Sequence, residues 1–336
     1  MADEAKPAET AKDMAPTDVA KQAAQAEARI LHRRKVVRIT MIVIAHVLFA
    51  ALVVLILVPG KKTIPTNIPF LVAVALVEAF YLYTLFRKGA NRTAASWVAV
   101  IIWAVLIVWE LVSTQFAIAN PVLFPAPEAV FNVFPTQWPT LLENLLASLQ
   151  LLAMGALTAI LTGLVLGAIA GWLPGVRSVC APIARVLAPI PSVVFAPYII
   201  LLMPTFRIAS ATIIFLGIFW PMFLNTIIRV DSMDRRIVES ARMLGLSSFE
   251  MVKDVILPYL LPGVMNGLNG QLTAAITMLT FAEMLGASSG VGYYIINYTN
   301  FANYVNVIAG IILVAIMVTV LNWLINLLRR HAVKWR

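Results

Sequence analysis

Residues 144–171 read NLLASLQLLAMGALTAILTGLVLGAIAG, a run without a single charged side chain. As a helix this run extends about 42 Å, more than the roughly 30 Å hydrocarbon core of a bilayer. Inside that core no water can satisfy backbone amides, so an uncharged run of this length reads as a transmembrane helix. The rest of the chain is of the same kind. Of its 336 residues 61% are apolar and 12% charged, against roughly 45–50% and 25% in soluble domains. That excludes an ordinary soluble enzyme, whose limited polar surface could not cover so much apolar sequence.

Seven further runs qualify. The expected fold is therefore an all-α integral membrane protein of about eight transmembrane helices, at roughly 39–58, 68–86, 97–118, 144–171, 179–203, 206–229, 262–285 and 303–328. The first follows 38 largely polar residues and is too long for the core of a signal peptide, so it is expected to remain as a span. Eight crossings place both termini on one side, and basic residues choose the side. One side collects the N-terminal cluster, Arg87, Lys88, Arg92, Arg177, Arg185, the group from Arg229 to Lys253, and the C-terminal group from Arg329 to Arg336; the other keeps Lys61, Lys62 and Arg207. The division is 22 against three of the 25 Lys and Arg. Cytoplasmic N- and C-termini in the inner membrane follow.

Residues 1–38 read as a basic cytoplasmic tail, disordered to about Ala15 and helix-forming from Thr17. Its cluster His32-Arg33-Arg34-Lys35 suits the anionic inner leaflet, worth about 1 kcal/mol per charge there, and with the bilayer as partner no nucleic acid is needed to explain it. The single cysteine, Cys180, allows no intrachain disulfide.

One interior cytoplasmic loop, about 230–260, is long enough to fold. Residues 236–245 favour a short helix ended by Gly245 in the left-handed region. Ser247 and Glu250 have capping-box spacing for a second helix, expected to run to Leu257 and stop at Pro258. Ala241, Met243, Leu244, Leu246, Phe249 and Met251 offer small and apolar surface for a partner; the alternative is an amphipathic helix lying on the membrane.

This loop resembles the EAA loop of permease subunits of binding-protein-dependent ABC importers, whose pattern is E-A-A, three residues, G, nine residues, I-x-L-P. Here it reads Glu239-Ser240-Ala241, Gly245, then Val255-Ile256-Leu257-Pro258, with Ser at the second position. The resemblance implies a coupling helix docked in a cleft of a separate ATPase, with Glu239, Ala241 and Gly245 carrying the contact. It also implies a homodimeric pore, an external solute-binding protein, and ATP with Mg on the partner subunit. The chain has no G-x-x-x-x-G-K-[ST] motif; its Gly60-Lys61 pair lacks the remaining residues. No cofactor, metal spacing or catalytic constellation is expected, and the chain reads as a pore subunit, not an enzyme.

From Trp109 onward the chain looks most like the nitrate/sulfonate/taurine-type branch. The matching residues are Trp109-Glu110, the stretch from Phe124 to Val130, Pro189-Ile190-Pro191, and Ala282-Glu283 through Gly290-Val-Gly292-Tyr293. The branch implies a six-span core over 97–336 and a small anionic cargo such as nitrate, a sulfonate, taurine or bicarbonate. A pyrimidine or vitamin precursor is the alternative. Two N-terminal helices within 39–92 are additional.

Physical readings of the spans stand beside this. Pro182, Pro189, Pro191 and Pro197 remove donors at close intervals, so the fifth span is broken and either gates a wet path, at Pro189 and Pro191, or packs as a kinked helix inside the bundle. Asn266, Asn269, Thr273, Thr277 and Thr280 fall on one face of the seventh helix. That stripe lines a translocation path at a dimer seam, with Glu283 at its outer end, or serves as helix–helix glue. His46 and Glu78 are placed to pair; Glu110 is expected near outer water. An ion- or proton-coupled secondary transporter using Glu283 and Glu78, or a non-transporting scaffold, would belong to a different functional class.

Overall fold

The computed structural model describes residues 16–62, 64–89 and 91–332. The tail expected to be disordered up to Ala15, and the basic residues Lys334 and Arg336, lie outside the described residues. Everything regular is helical: α1 (Pro16–Leu57), α2 (Ile68–Phe86), α3 (Arg92–Glu110), α4 (Pro127–Thr136), α5 (Trp138–Trp172), α6 (Pro174–Leu187), α7 (Ala196–Leu202) and α8 (Phe206–Asp231), then α9 (Arg235–Met243), a single turn α10 (Ser248–Glu250), α11 (Leu257–Met284), α12 (Val291–Asn300) and α13 (Tyr304–Ala332). Among the described residues six helices are long and apolar enough to cross a membrane, or seven if the pair across Pro174–Leu202 is one span. α11 has 28 residues, but Asn266, Asn269 and Gln271 leave it less apolar than these.

The chain divides into two compact units, Met1–Asn132 and Val133–Arg336. In the first, α1, α2 and α3 share a core of Ala45, Leu52, Phe70, Val74, Ala99 and Trp103. His46 Nε2 stands 3.3 Å from Glu78 Oε1, and the Tyr81 hydroxyl is 2.9 Å from Ser96 Oγ. Polar groups of adjacent helices thus meet one another between the helices. Glu110 is not at outer water: it is fully buried. A π turn (Leu111–Gln115) ends α3, and the segment beyond folds back, Trp109 Nε1 donating to the Pro125 carbonyl at 2.9 Å and Thr114 Oγ1 to Glu128 at 3.0 Å.

The second unit is built on the parallel pair α5 and α8, whose contacts advance together from Gly155–Ile214 to Gly171–Val230. Gly155, Gly163, Gly167 and Gly171 recur along α5 at helical spacing, and a Cβ on each would meet Ile214, Met222, Thr226 and Val230 of α8 at 2.7, 3.1, 2.7 and 2.7 Å. Without hydrophobic drive in lipid, close backbone approach supplies the packing energy, and small residues permit it. The opposite face of α5 (Leu157, Leu161, Val165) remains exposed, as a lipid-facing surface should. α11 and α13 complete a core of Leu151, Leu152, Ile214, Ile218, Ile276 and Leu279 with Met317.

The fifth span is broken, as its prolines require. α6 ends at Leu187, Pro191 is extended at ψ 121°, a 3₁₀ turn covers Ser192–Phe195, and the two helical pieces meet at 83°. Pro258, by contrast, does not stop the second loop helix. A π turn (Met251–Ile256) precedes it and runs straight into α11. The wider turn shifts the carbonyl that the proline ring would strike, so the helix continues through it.

Gly167→Val should destabilise the chain by about 1–3 kcal/mol through overpacking at α8. Thermal unfolding in detergent should show this as a lowered midpoint, whereas Gly175→Ala, where a Cβ meets nothing within 4 Å, should leave it unmoved.

Candidate functional site

Two constructions sit at the opposite ends of the α5–α8 pair. The first is the loop between α8 and α11. Asp234 caps α9, its Oδ1 accepting from Arg236 N at 2.9 Å. Gly245 follows at φ 75°, a region strained for any side chain, and its N–H donates to the Arg242 carbonyl at 2.9 Å. Ser247 and Glu250 then form the capping box in full. Those hydrogen bonds hold the Glu250 carboxyl below its ordinary pKa. The cap is therefore complete above the unfolded-state pKa and weakens as pH falls through the folded one.

Within this turn the side chains sort into two sets. Ala241 is only 6% exposed and packs with Val230, Met233, Met251 and Ile256. Its small size brings α9 close to the rest of its own chain. Ile256 is buried in the same cluster, Leu257 is half-buried, and Pro258 is exposed. Glu239, Ser240 and Gly245 are exposed beside Met243 at 89%, Leu244 at 79% and Phe249 at 74%. Three large apolar side chains thus project from one tight turn. Such a patch marks an interaction surface. The turn is anchored to both long helices: the Arg242 guanidinium stacks 5.6 Å over the Trp172 ring at the end of α5, and Ala241 packs on Val230 at the end of α8, which Arg177 of α6 also reaches by pairing with Asp231.

The second construction surrounds Glu283. The helix face containing Ile276, Leu279 and Glu283 points inward, so Glu283 is 1% exposed and separate from the polar stripe it was expected to join. Its Oε1 accepts from Ser148 Oγ at 2.6 Å and its Oε2 from Gly292 N at 2.8 Å. Ser148 Oγ in turn accepts from Val291 N at 2.8 Å, and Asn144 Oδ1 from Gly290 N at 2.9 Å. Three successive amides at the start of α12 are thereby satisfied, with a carboxylate at the positive end of the helix. A Cβ on Gly290 (φ 122°) would strike the Glu283 carboxylate, and one on Gly292 would strike the Thr280 carbonyl oxygen and Glu283 Cβ, so both positions require glycine. Asn144 and Ser148 carry no motif of their own; the spacing Glu-x6-Gly-x-Gly was the available signal for this clasp.

The stripe itself is divided. Thr273, Thr277 and Thr280 each donate to the carbonyl one turn back, at 3.0, 2.9 and 2.9 Å. Asn269 Nδ2 donates to Asn326 Oδ1 of α13 at 3.1 Å. Asn266, Thr273 and Thr277 remain exposed alongside Gly267, Gly270 and Ala274. Pro189 and Pro191 stand at the bend of the broken span, where Ser192 is seated against Gly217 of α8.

Comparison with known proteins gives a consistent result. The family model described as binding-protein-dependent transport system inner membrane component matches residues 159–335. The chain is 30% identical over 254 residues to the putative aliphatic sulfonates transport permease protein SsuC of Bacillus subtilis (strain 168), covering 74% of this chain and 92% of that one. It is 28% identical over 237 residues to the taurine transport system permease protein TauC of Escherichia coli (strain K12), covering 68% and 86%. Over 259 residues it is 27% identical to the nitrate import permease protein NrtB of Leptolyngbya laminosa, covering 75% and 92%.

Replacing Glu283 by Ala removes a charged acceptor from two hydrogen bonds, each worth about 1.5–3 kcal/mol. Hydrogen exchange should quicken at least about tenfold at the amides of Gly290, Val291 and Gly292; unchanged protection there would show that the clasp does not hold the loop.

Proposed function

The chain belongs to the family of binding-protein-dependent transport system inner membrane components, and from that premise we propose that it carries a small anion into the cytoplasm as a homodimeric pore. It is the permease subunit of an ABC-type importer, a multi-pass inner-membrane protein without a catalytic role of its own. The anion rests on the printed cargoes of its relatives, aliphatic sulfonates, taurine and nitrate, which share a small oxyanion group.

The observation that carries the mechanism is the exposed trio Met243, Leu244 and Phe249 around a left-handed Gly245. In our reading two ATPase subunits, holding ATP and Mg, receive these side chains, with Glu239 and Ser240 at the rim. Their closure moves the loop. Because Arg242 ties the loop to the end of α5 and Ala241 packs it against Val230 at the end of α8, its displacement travels along that pair as a rigid element.

Topology supports the same arrangement. Six membrane-length helices, the bent pair Pro174–Leu202 and the 28-residue α11 make eight crossings, and the 22-to-three division of basic residues puts both termini and the loop in the cytoplasm. The helices ahead of residue 97 then add to a six-span core over 97–336. The exposed face of Asn266, Gly267, Gly270, Thr273, Ala274 and Thr277 suits the homodimer seam, since small residues let helices approach and polar ones meet across a path. Pro189 and Pro191 gate that path, and an external binding protein delivers the solute. Proton-coupled transport loses its support because Glu283 is clasped and Glu78 faces His46.

Gly245→Val, which cannot adopt φ 75° without strain, should abolish co-purification of the ATPase and solute uptake. Leu244→Asp should cut ATPase retention by about tenfold or more, as loss of a central apolar anchor does. Retention of a fully coupled ATPase by both variants would refute the docking assignment.

A further inference from the structure

At the outer ends of α5, α8 and α11 lies a cavity of about 250 Å³, lined by Ala147, Gln150, Phe206, Arg207, Ser288 and Ser289. Arg207 is the second residue of α8. Its Nη2 donates to Gln150 Oε1 at 2.8 Å. That bond occupies one of the five guanidinium donors and turns the Gln150 amide so that its oxygen is used and its NH2 remains. The serine loop closes the other side: Gly286 lets it approach the Phe206 ring, which a Cβ there would meet at 3.1 Å, and the clasp of Glu283 with Asn144 and Ser148 fixes the far end of the loop. Ala147 and Gln150 lie one turn apart on the helix that bears Asn144 and Ser148, so clasp and cavity share one rigid wall.

The polar lining is a set of donors. It comprises the guanidinium, the Gln150 amide and two serine hydroxyls, with no carboxylate among the lining residues, and the amide end of the 26-residue α8 adds partial positive charge. Of the three basic residues on the outer side, Arg207 alone belongs to the six-span core; the positive-inside bias does not explain it. We propose that this cavity is an outer receiving site for the oxyanion group of the solute, with Arg207 and Gln150 as its anchors and Ser288 and Ser289 as a second pair of donors. The inference rests on the anion reading above and adds to it a place on the chain where the anion is first held.

The test uses the full-length chain in lipid nanodiscs, without any external binding protein, and methanesulfonate as the probe in titration calorimetry. Saturable binding is expected for the wild type, at least about tenfold weaker in Arg207→Gln and largely restored in Arg207→Lys, since charge-assisted hydrogen bonds supply the affinity. Gln150→Leu, which keeps the charge, should weaken binding by a smaller factor, and neutral methanesulfonamide should not compete. No binding by the wild type, or equal binding by wild type and a folded Arg207→Gln, overturns the site. Uptake by vesicles containing the whole importer separates the two levels. Transport of sulfonate or nitrate with binding unaffected by Arg207→Gln keeps the anion reading and rejects the cavity; transport of neutral solutes alone rejects the anion reading.

Discussion

The close packing of α5 on α8 is the constraint from which the second unit takes its shape. Four glycines on α5 bring the two backbones near enough that every one of their absent Cβ atoms would collide with an α8 side chain. Lipid supplies no hydrophobic drive between helices, so dispersion over this long seam is what holds them. A pair packed this closely resists bending and sliding. What is attached at one end therefore keeps a fixed relation to what is attached at the other.

Both candidate sites exploit that relation. At the C-terminal ends of the pair, Trp172 and Asp231 terminate α5 and α8, and Arg242 and Arg177 tie the loop and α6 to them. At the N-terminal ends, Asn144 and Ser148 of α5 hold the start of α12, while Gln150 and Arg207 meet across the two helices. The broken span seats its turn against Gly217 between these ends. An importer needs such a linkage, because ATP is consumed on one side of the membrane and solute is accepted on the other. Glu283 contributes by positioning a loop through its two buried hydrogen bonds.

Much of this was legible in the residues. Long uncharged runs can only be spans, the prolines at 182, 189, 191 and 197 demanded a break, and Ser247-x-x-Glu250 after Gly245 specified a turn between helices that the structure reproduces bond by bond. Other features were not legible, each for a stated reason. Helical periodicity put Glu283 near the threonine stripe, but the inward side of that helix is chosen by Ile276 and Leu279, which pack on α5 and α8. The small size of Ala241 suited a partner as well as its own core, and only the fold shows that it packs with Met233 and Met251. Pro258 carried a stop signal that the six-residue π turn before it overrides.

The central claim is that force enters through the loop between α8 and α11. Hydrogen–deuterium exchange on the full-length chain, with and without its ATPase, tests this most directly. Protection concentrated in residues 235–250, with the Met243, Leu244 and Gly245 amides slowed most, is the predicted result. Loop amides that exchange at the same rate in both states, while another cytoplasmic segment becomes protected, would contradict it.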